Sequence, residues 1–245
     1  MNDPVNPARL YLVRHGETDW SLTGQHTSRT DISLTKQGDR DALSLGDRLR
    51  TVSFSRVFTS PRQRARRTCA LAGLTPVAEI EPDLAEWDYG DYEGRRSVDI
   101  CQERPDWNLF RDGCPHGEMP AQVSDRADRL IARLRGMHGN IALFSHGQFG
   151  CVLAARWIGL PLIEGPHFLL STTSLSILGY EPHHPAVPVI ALWNASSHEM
   201  LDPAFAPNLG DARIMKRRAI ERWENEGGEI PHKQRSRPSM SGAEQ

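Results

Sequence analysis

Arg9-Leu10-Tyr11-Leu12-Val13-Arg14-His15-Gly16-Glu17-Thr18 and, far downstream, Ile141-Ala142-Leu143-Phe144-Ser145-His146-Gly147 are built on one plan. Each is a short apolar run that stops on a polar residue, a histidine and a glycine. Runs of this length read as buried strands. The end of such a strand, followed by a glycine turn, is where open α/β sheets place their ligands. A lone histidine after a strand is an ordinary structural residue. Two of them, each followed by Gly and one preceded by Arg, predict a shared crevice at the carboxyl ends of parallel strands.

Working outward, Thr35 is placed to cap a helix in which Leu34, Gly38, Ala42, Leu45 and Leu49 recur at helical spacing. Arg56–Thr59 reads as a second strand. Ser60-Pro61 then reads as the start of another helix, Ser as cap and Pro in the first position, with Ala65, Cys69 and Ala72 on its apolar face. Val123, Ala127, Leu130, Ile131 and Leu134 mark a further amphipathic helix, and Val152, Leu153 and Trp157 mark the one after His146. Residues 174–180 and 187–193 read as late strands. Strands alternating with helices predict an α/β three-layer sandwich, its central sheet mostly parallel and covered by helices on both faces. Residues 1–200 are expected to form this domain, with a loose, proline-containing lead at 1–7. Residues 201–245 form a charged extension: Arg213–Glu226 as a surface helix, and the Gly, Ser, Pro and charge of 227–245 without order.

The bulk numbers exclude little but point one way. A length of 245 residues with 38% hydrophobic content suits one large core. A net charge of -2 gives no general basic bias toward nucleic acid or a membrane surface. The first apolar run, near Leu10, is too short to span a bilayer, and no leader pattern precedes it. Cys69, Cys101, Cys114 and Cys151 form no CxxC pair and are expected to pack as reduced thiols, which fits a cytoplasmic protein. His183-His184, His116 and His198 lack companions at ligand spacing, so no metal site is expected.

Three further stretches carry chemistry. Arg64 belongs to Ser60-Pro61-Arg62-Gln63-Arg64-Ala65-Arg66-Arg67-Thr68. Arg64 and Arg67 can share a helix face; Arg62 and Arg66 read as solvated. Glu86 lies among aromatics and glycines in Leu84–Gly94, where partial desolvation would raise its pKa and favour a protonated acid. Asp88, Asp91 and Glu93 compete for that role.

Arg14–Thr18, Ser60–Thr68, Glu86–Gly94 and Ser145–Gly147, in this order, resemble the histidine phosphatase (phosphoglycerate-mutase-like) superfamily over roughly residues 9–195. Gly24–Thr27, Glu86–Gly94 and Leu109–Cys114 followed by Gly117-Glu118 resemble its sedoheptulose-bisphosphatase-type branch, which hydrolyses sugar bisphosphates. The resemblance implies a phosphomonoester hydrolase with His15 as nucleophile and Arg14, Arg64 and His146 clamping the phosphate. Glu86 would be the acid toward the leaving alcohol. No metal or cofactor is implied, and the partner is a small phosphorylated metabolite. Ser21, Thr27, Ser28, Tyr89 and Gln148 are the candidate substrate contacts.

The sequence departs from the family pattern at Ser21, where many members carry Asn, and at Ser28, where many carry Gly. The helix after His146 has no early basic residue to meet a second phosphate; Cys151 and Arg156 are its landmarks. Two other readings stand beside hydrolysis. A mutase of the same superfamily would carry a longer basic insertion between the acid Glu and the later Gly-Glu, whereas Glu86 and Glu118 are close. A non-catalytic phosphate-binding or scaffolding protein would have lost part of the constellation.

Overall fold

A computed structural model describes residues 7–196. The expected domain limit at residue 200, all of the 1–7 lead but its last residue, the Arg213–Glu226 helix and the tail at 227–245 lie outside the described residues. In chain order the elements are β1 (Arg9–Arg14), α1 (Asp19–Thr23), α2 (Lys36–Leu49), β2 (Phe54–Thr59), α3 (Gln63–Leu71), β3 (Ala78–Ile80), α4 (Ser97–Glu103), α5 (Leu109–Asp112), α6 (Pro120–Arg135), β4 (Asn140–Ser145), α7 (Gly147–Trp157), β5 (Leu175–Tyr180) and β6 (Pro188–Ala195). The strands form one six-stranded sheet in the order β3-β2-β4-β1-β5-β6. The pairs β1·β4, β2·β4 and β2·β3 are parallel, while β5 runs antiparallel to both β1 and β6.

The pleat divides the core in two. Leu10, Leu12, Phe58, Ile141, Leu143 and Leu178 point to one face, into a cluster with Val123, Leu130, Val152 and Trp157 from α6 and α7. Tyr11, Val13, Val57, Ala142, Phe144 and Ile177 point to the other, against Leu45 and Leu49 of α2 and Cys69 of α3. Period-2 alternation of buried residues on both sides of a strand is what a sheet covered by helices on both faces requires. The three-layer α/β sandwich read from the sequence is therefore the observed fold.

Thr35 does cap α2: its hydroxyl accepts from the Gly38 N–H at 3.0 Å. The expected start of α3 is corrected by two residues. The helix begins at Gln63 with Arg62 as cap, and Arg62 makes no side-chain cap bond. Ser60 stays outside the helix: its N–H still donates to the Phe144 carbonyl of β4 at 2.9 Å, and its hydroxyl lies 2.7 Å from the ring of His146.

Gly38 closes the gap between the first turn of α2 and the segment after His15. A Cβ built there would lie 2.4 Å from the Glu17 carbonyl oxygen and 2.8 Å from the Glu17 nitrogen. Both are backbone atoms and cannot swing away. Gly38→Ala is therefore expected to lower stability by about 1–3 kcal/mol, the usual cost of overpacking. Urea unfolding measures it; an unchanged midpoint would show that the α2 contact yields freely.

Candidate active site

The parallel pairing of β1 and β4 sets Arg14 opposite Ser145. The next residue on each strand is a histidine, and the His15 N–H donates to the Ser145 carbonyl at 2.9 Å. The two rings lie 5.1 Å apart, inclined at 63°. On the other side of β4, Thr59 pairs with Phe144, so Ser60 leaves β2 at the same level. Three neighbouring strand ends thus deliver His15, His146 and Ser60 to one place.

The nucleophile candidate is held at both ends. His15 Nδ1 lies 2.8 Å from the carbonyl of Gly16. A carbonyl only accepts, so Nδ1 carries the proton and Nε2 keeps its lone pair. The Gly16 N–H donates to Thr68 Oγ1 at 2.8 Å, and that hydroxyl donates to the Arg64 carbonyl at 2.8 Å. One threonine therefore ties the histidine loop to α3. From β5's side, the Thr173 N–H reaches the carbonyls of Arg14 and His15, both at 3.1 Å. Thr173 does so from the left-handed region, with φ of 57°. Such a conformation in a non-glycine residue costs on the order of 1 kcal/mol.

Two arginines surround the histidines. Arg64 is fully buried, and its Nη atoms donate to the carbonyls of Thr27 at 2.8 Å, Thr30 at 3.1 Å and Ser28 at 3.3 Å. Burial lowers its pKa to about 10, against the raising effect of Glu86 and other anionic groups, so it stays charged near neutrality. Arg14 is buried too and donates to the Leu170 carbonyl at 2.6 Å. Gly147 lets it pass: a Cβ there would come within 3.2 Å of the guanidinium carbon. Burial first, then the charges of Arg64 and Arg14, hold His15 well below its ordinary pKa; the bond to Gly16 opposes this. His146 is lowered by burial and then by Arg64, His15, Arg14 and Arg62. Both rings are accordingly neutral at pH 7.

Arg64 and Arg67, which could have shared a helix face, differ in placement: Arg64 is buried and Arg67 exposed. Arg67 faces solvent and pairs with Asp39 at 3.1 Å. Arg62, expected to be solvated, is half-buried.

Glu86 is buried, and the main chain grips its carboxylate. Oε1 accepts from the N–H groups of Trp87 at 2.9 Å and Phe149 at 2.8 Å; Oε2 accepts from Gln148 at 3.1 Å. Burial raises its pKa, opposed by these bonds and by Arg64. Its loop rests on Arg126, which donates to the carbonyls of Asp83 at 2.8 Å and Ala85 at 2.7 Å and pairs with Glu118 at 2.8 Å. The same guanidinium lies 4.3 Å from the ring centre of Phe149. The competing acids are occupied elsewhere: Asp88 with Arg29, Asp91 with His116, and Glu93 with Ser28 and Thr30.

The remaining expected contacts divide. Ser21 closes the capping box of α1 with Thr18, so its hydroxyl is used inside the helix start. Ser28 donates its hydroxyl to Glu93 and holds the loop. Both hydroxyls thus also hold the loops around the site. Thr27 donates to the Gln25 carbonyl at 3.0 Å and offers Arg64 its own carbonyl. Tyr89 is buried, its ring centre 4.4 Å from that of His26 and tilted by 30°. Gln148 contributes its N–H to Glu86, as stated. Sequence reasoning missed Ser60, Thr68, Thr173 and Arg126 as site residues. Only Thr68 left a signal, four residues after Arg64 on the same helix. Among the described residues no cluster of three or more His, Cys, Asp or Glu is arranged to hold a metal ion. His198 lies outside them.

Under Tyr89, burial pushes His26 from 6.5 down to about 3. The folded chain therefore refuses a proton that the unfolded chain accepts. That stability is complete above the unfolded pKa and declines as the pH falls through 6.5 toward about 3. His15 and His146 act in the same direction, while Glu86, with its raised pKa, partly offsets them. Replacing His26 by Gln should flatten the dependence of unfolding free energy on pH by nearly one proton, roughly 1.4 kcal/mol per unit between about pH 6 and 5. Urea titrations at the two pH values read this; an unaltered slope would mean that folded His26 is protonated.

The model of the histidine phosphatase superfamily (branch 1) matches residues 10–195. An acid phosphatase of Mycobacterium tuberculosis is 46% identical over 181 residues, covering 72% of this chain and 89% of that protein. The sedoheptulose 1,7-bisphosphatase of Saccharomyces cerevisiae is 32% identical over 255 residues, covering 77% and 93%. A solved structure of a Mycobacterium tuberculosis open reading frame superposes with a TM-score of 0.72 at 41% identity, covering 77% of this chain and 98% of that one.

Proposed function

The chain belongs to branch 1 of the histidine phosphatase superfamily, and we propose that it hydrolyses small sugar phosphates or bisphosphates through a phosphohistidine on His15. The observation that carries this reading is the fixed tautomer of His15. A neutral imidazole with Nδ1–H held by Gly16 presents Nε2 as a nucleophile toward phosphorus. Arg14, Arg64 and His146 surround it with donors for the nonbridging oxygens. Two of these donors, Nε of Arg64 and Nδ1 of His146, are buried and meet no hydrogen-bond partner among the described residues. Buried polar atoms of this kind call for a ligand. With Nδ1–H of His146 turned to the phosphate, its Nε2 accepts the hydroxyl proton of Ser60.

In the first step Nε2 of His15 bonds to phosphorus and the ester P–O bond breaks. Glu86 supplies the proton that the leaving alcohol oxygen needs. Burial raises its affinity for that proton, and three backbone N–H groups stabilise the carboxylate left behind. In the second step this carboxylate takes a proton from water, the water oxygen bonds to phosphorus, and the P–N bond breaks. Ser21, Thr27, Ser28, Tyr89 and Gln148 are the candidates for contacts to the substrate, Gln148 toward its phosphate. The relatedness to a yeast sedoheptulose bisphosphatase supports a sugar-phosphate substrate.

Phosphate release is the test. Wild-type protein should liberate phosphate from p-nitrophenyl phosphate and from sugar phosphates, and a folded His15→Ala protein should fall to background. Glu86→Gln should lose about 10²–10⁴-fold with alkyl phosphates, the range of general acid catalysis, and much less with aryl phosphates. Turnover by His15→Ala, equal Glu86→Gln losses for both ester classes, or isomerisation without phosphate release would each contradict the assignment.

A further inference from the structure

Arg62 is a cation beside the site that the mechanism above does not use. Its N–H donates to Ser60 Oγ at 3.3 Å, and that hydroxyl lies 2.7 Å from His146 Nε2. Two hydrogen bonds thus separate its main chain from the ring of His146. The side chain is half-buried, and its Nε is buried without a hydrogen-bond partner. Its guanidinium makes a long bond of 3.4 Å to the Arg29 carbonyl and no carboxylate pair among the described residues. Two neighbouring surface arginines are paired, Arg29 with Asp88 and Arg67 with Asp39. The charge of Arg62 reaches inward far enough to lower the pKa of both His146 and Arg64.

A half-buried charge with a desolvated donor and no carboxylate partner among the described residues is unfavourable in the free protein. It becomes favourable when an oxyanion arrives. Arg14, Arg64 and His146 already serve the phosphate being transferred, and Arg62 stands outside them, partly open to solvent. A guanidinium presents paired N–H groups that match a phosphate or carboxylate.

We propose that Arg62 binds a second anionic group of the substrate, so that the preferred substrates carry a phosphate or carboxylate besides the phosphate that is removed. This rests on the hydrolase reading and narrows its substrate class. It also answers the lack of an early basic residue in α7: the cation that α7 lacks stands instead at the start of α3.

The experiment compares matched substrates differing in one anion. Fructose 1,6-bisphosphate is set against fructose 1-phosphate for a second phosphate, and 3-phosphoglycerate against glycerol 3-phosphate for a carboxylate. The readout is the ratio of kcat/KM within each pair. Arg62→Gln should lower that ratio about 10–100-fold in whichever pair matches the natural anion, as loss of a charge-assisted bond predicts. Arg62→Lys should restore part of it, which a purely structural role would not do. A ratio unchanged by Arg62→Gln in both pairs, with p-nitrophenyl phosphate still hydrolysed by the wild type, would overturn the role of Arg62 and leave the hydrolase reading standing. Failure of the wild type on every ester would overturn both.

Discussion

The parallel register of β1 against β4 is the constraint on which the rest of the site depends. Arg14 lies opposite Ser145, so two chain segments 131 positions apart turn out of the sheet together. A one-residue slip would move every side chain of β1 to the other face. Leu10 and Leu12 would then leave one core and Tyr11 and Val13 the other. The hydrophobic pattern that fixes the register for stability therefore also fixes the distance between the two histidines. β2 adds Ser60 through the same register logic, and β5 adds Thr173 from the opposite side of β1.

Burial then determines the charge states. Desolvation leads the shift of His15, His146, Glu86 and Arg64 alike. It removes charge from the imidazoles and favours a proton on the carboxyl. It does not discharge the arginines, whose ordinary pKa is too high. The outcome is a neutral nucleophile and a carboxyl whose hold on its proton is strengthened, beside fixed positive charge. A site of this composition is poised for a dianionic ester and for the charge that spreads over its oxygens during transfer.

Much of this was legible in the sequence because the signals are periodic. The strands at Arg9–Arg14 and Asn140–Ser145 are nearly continuous apolar runs, and α2, α6 and α7 repeat apolar residues at helical spacing. β3 was missed because it is three residues long and carries only half-buried or exposed side chains at the sheet edge. The antiparallel course of β5 was missed as well, although its short link to β6 leaves no room for a crossover, which takes a dozen residues or more. The start of α3 was misplaced because Ser60 looks like a cap in one dimension and serves His146 in three. Arg126 was invisible for a similar reason: it holds backbone carbonyls some 40 residues upstream, and carbonyls leave no mark in a sequence. The loop-holding bonds of Ser21 and Ser28 were not legible for the same reason.

The central claim is that Nε2 of His15 carries the phosphoryl group during turnover. Its most direct test is to stop the reaction within milliseconds in alkaline solution and locate the phosphate by peptide mass spectrometry and phosphorus NMR. The account predicts phosphate on the peptide containing His15, bonded to Nε2 and lost in acid. Phosphate on Nδ1, on His146, or on no residue at all while turnover proceeds would contradict it.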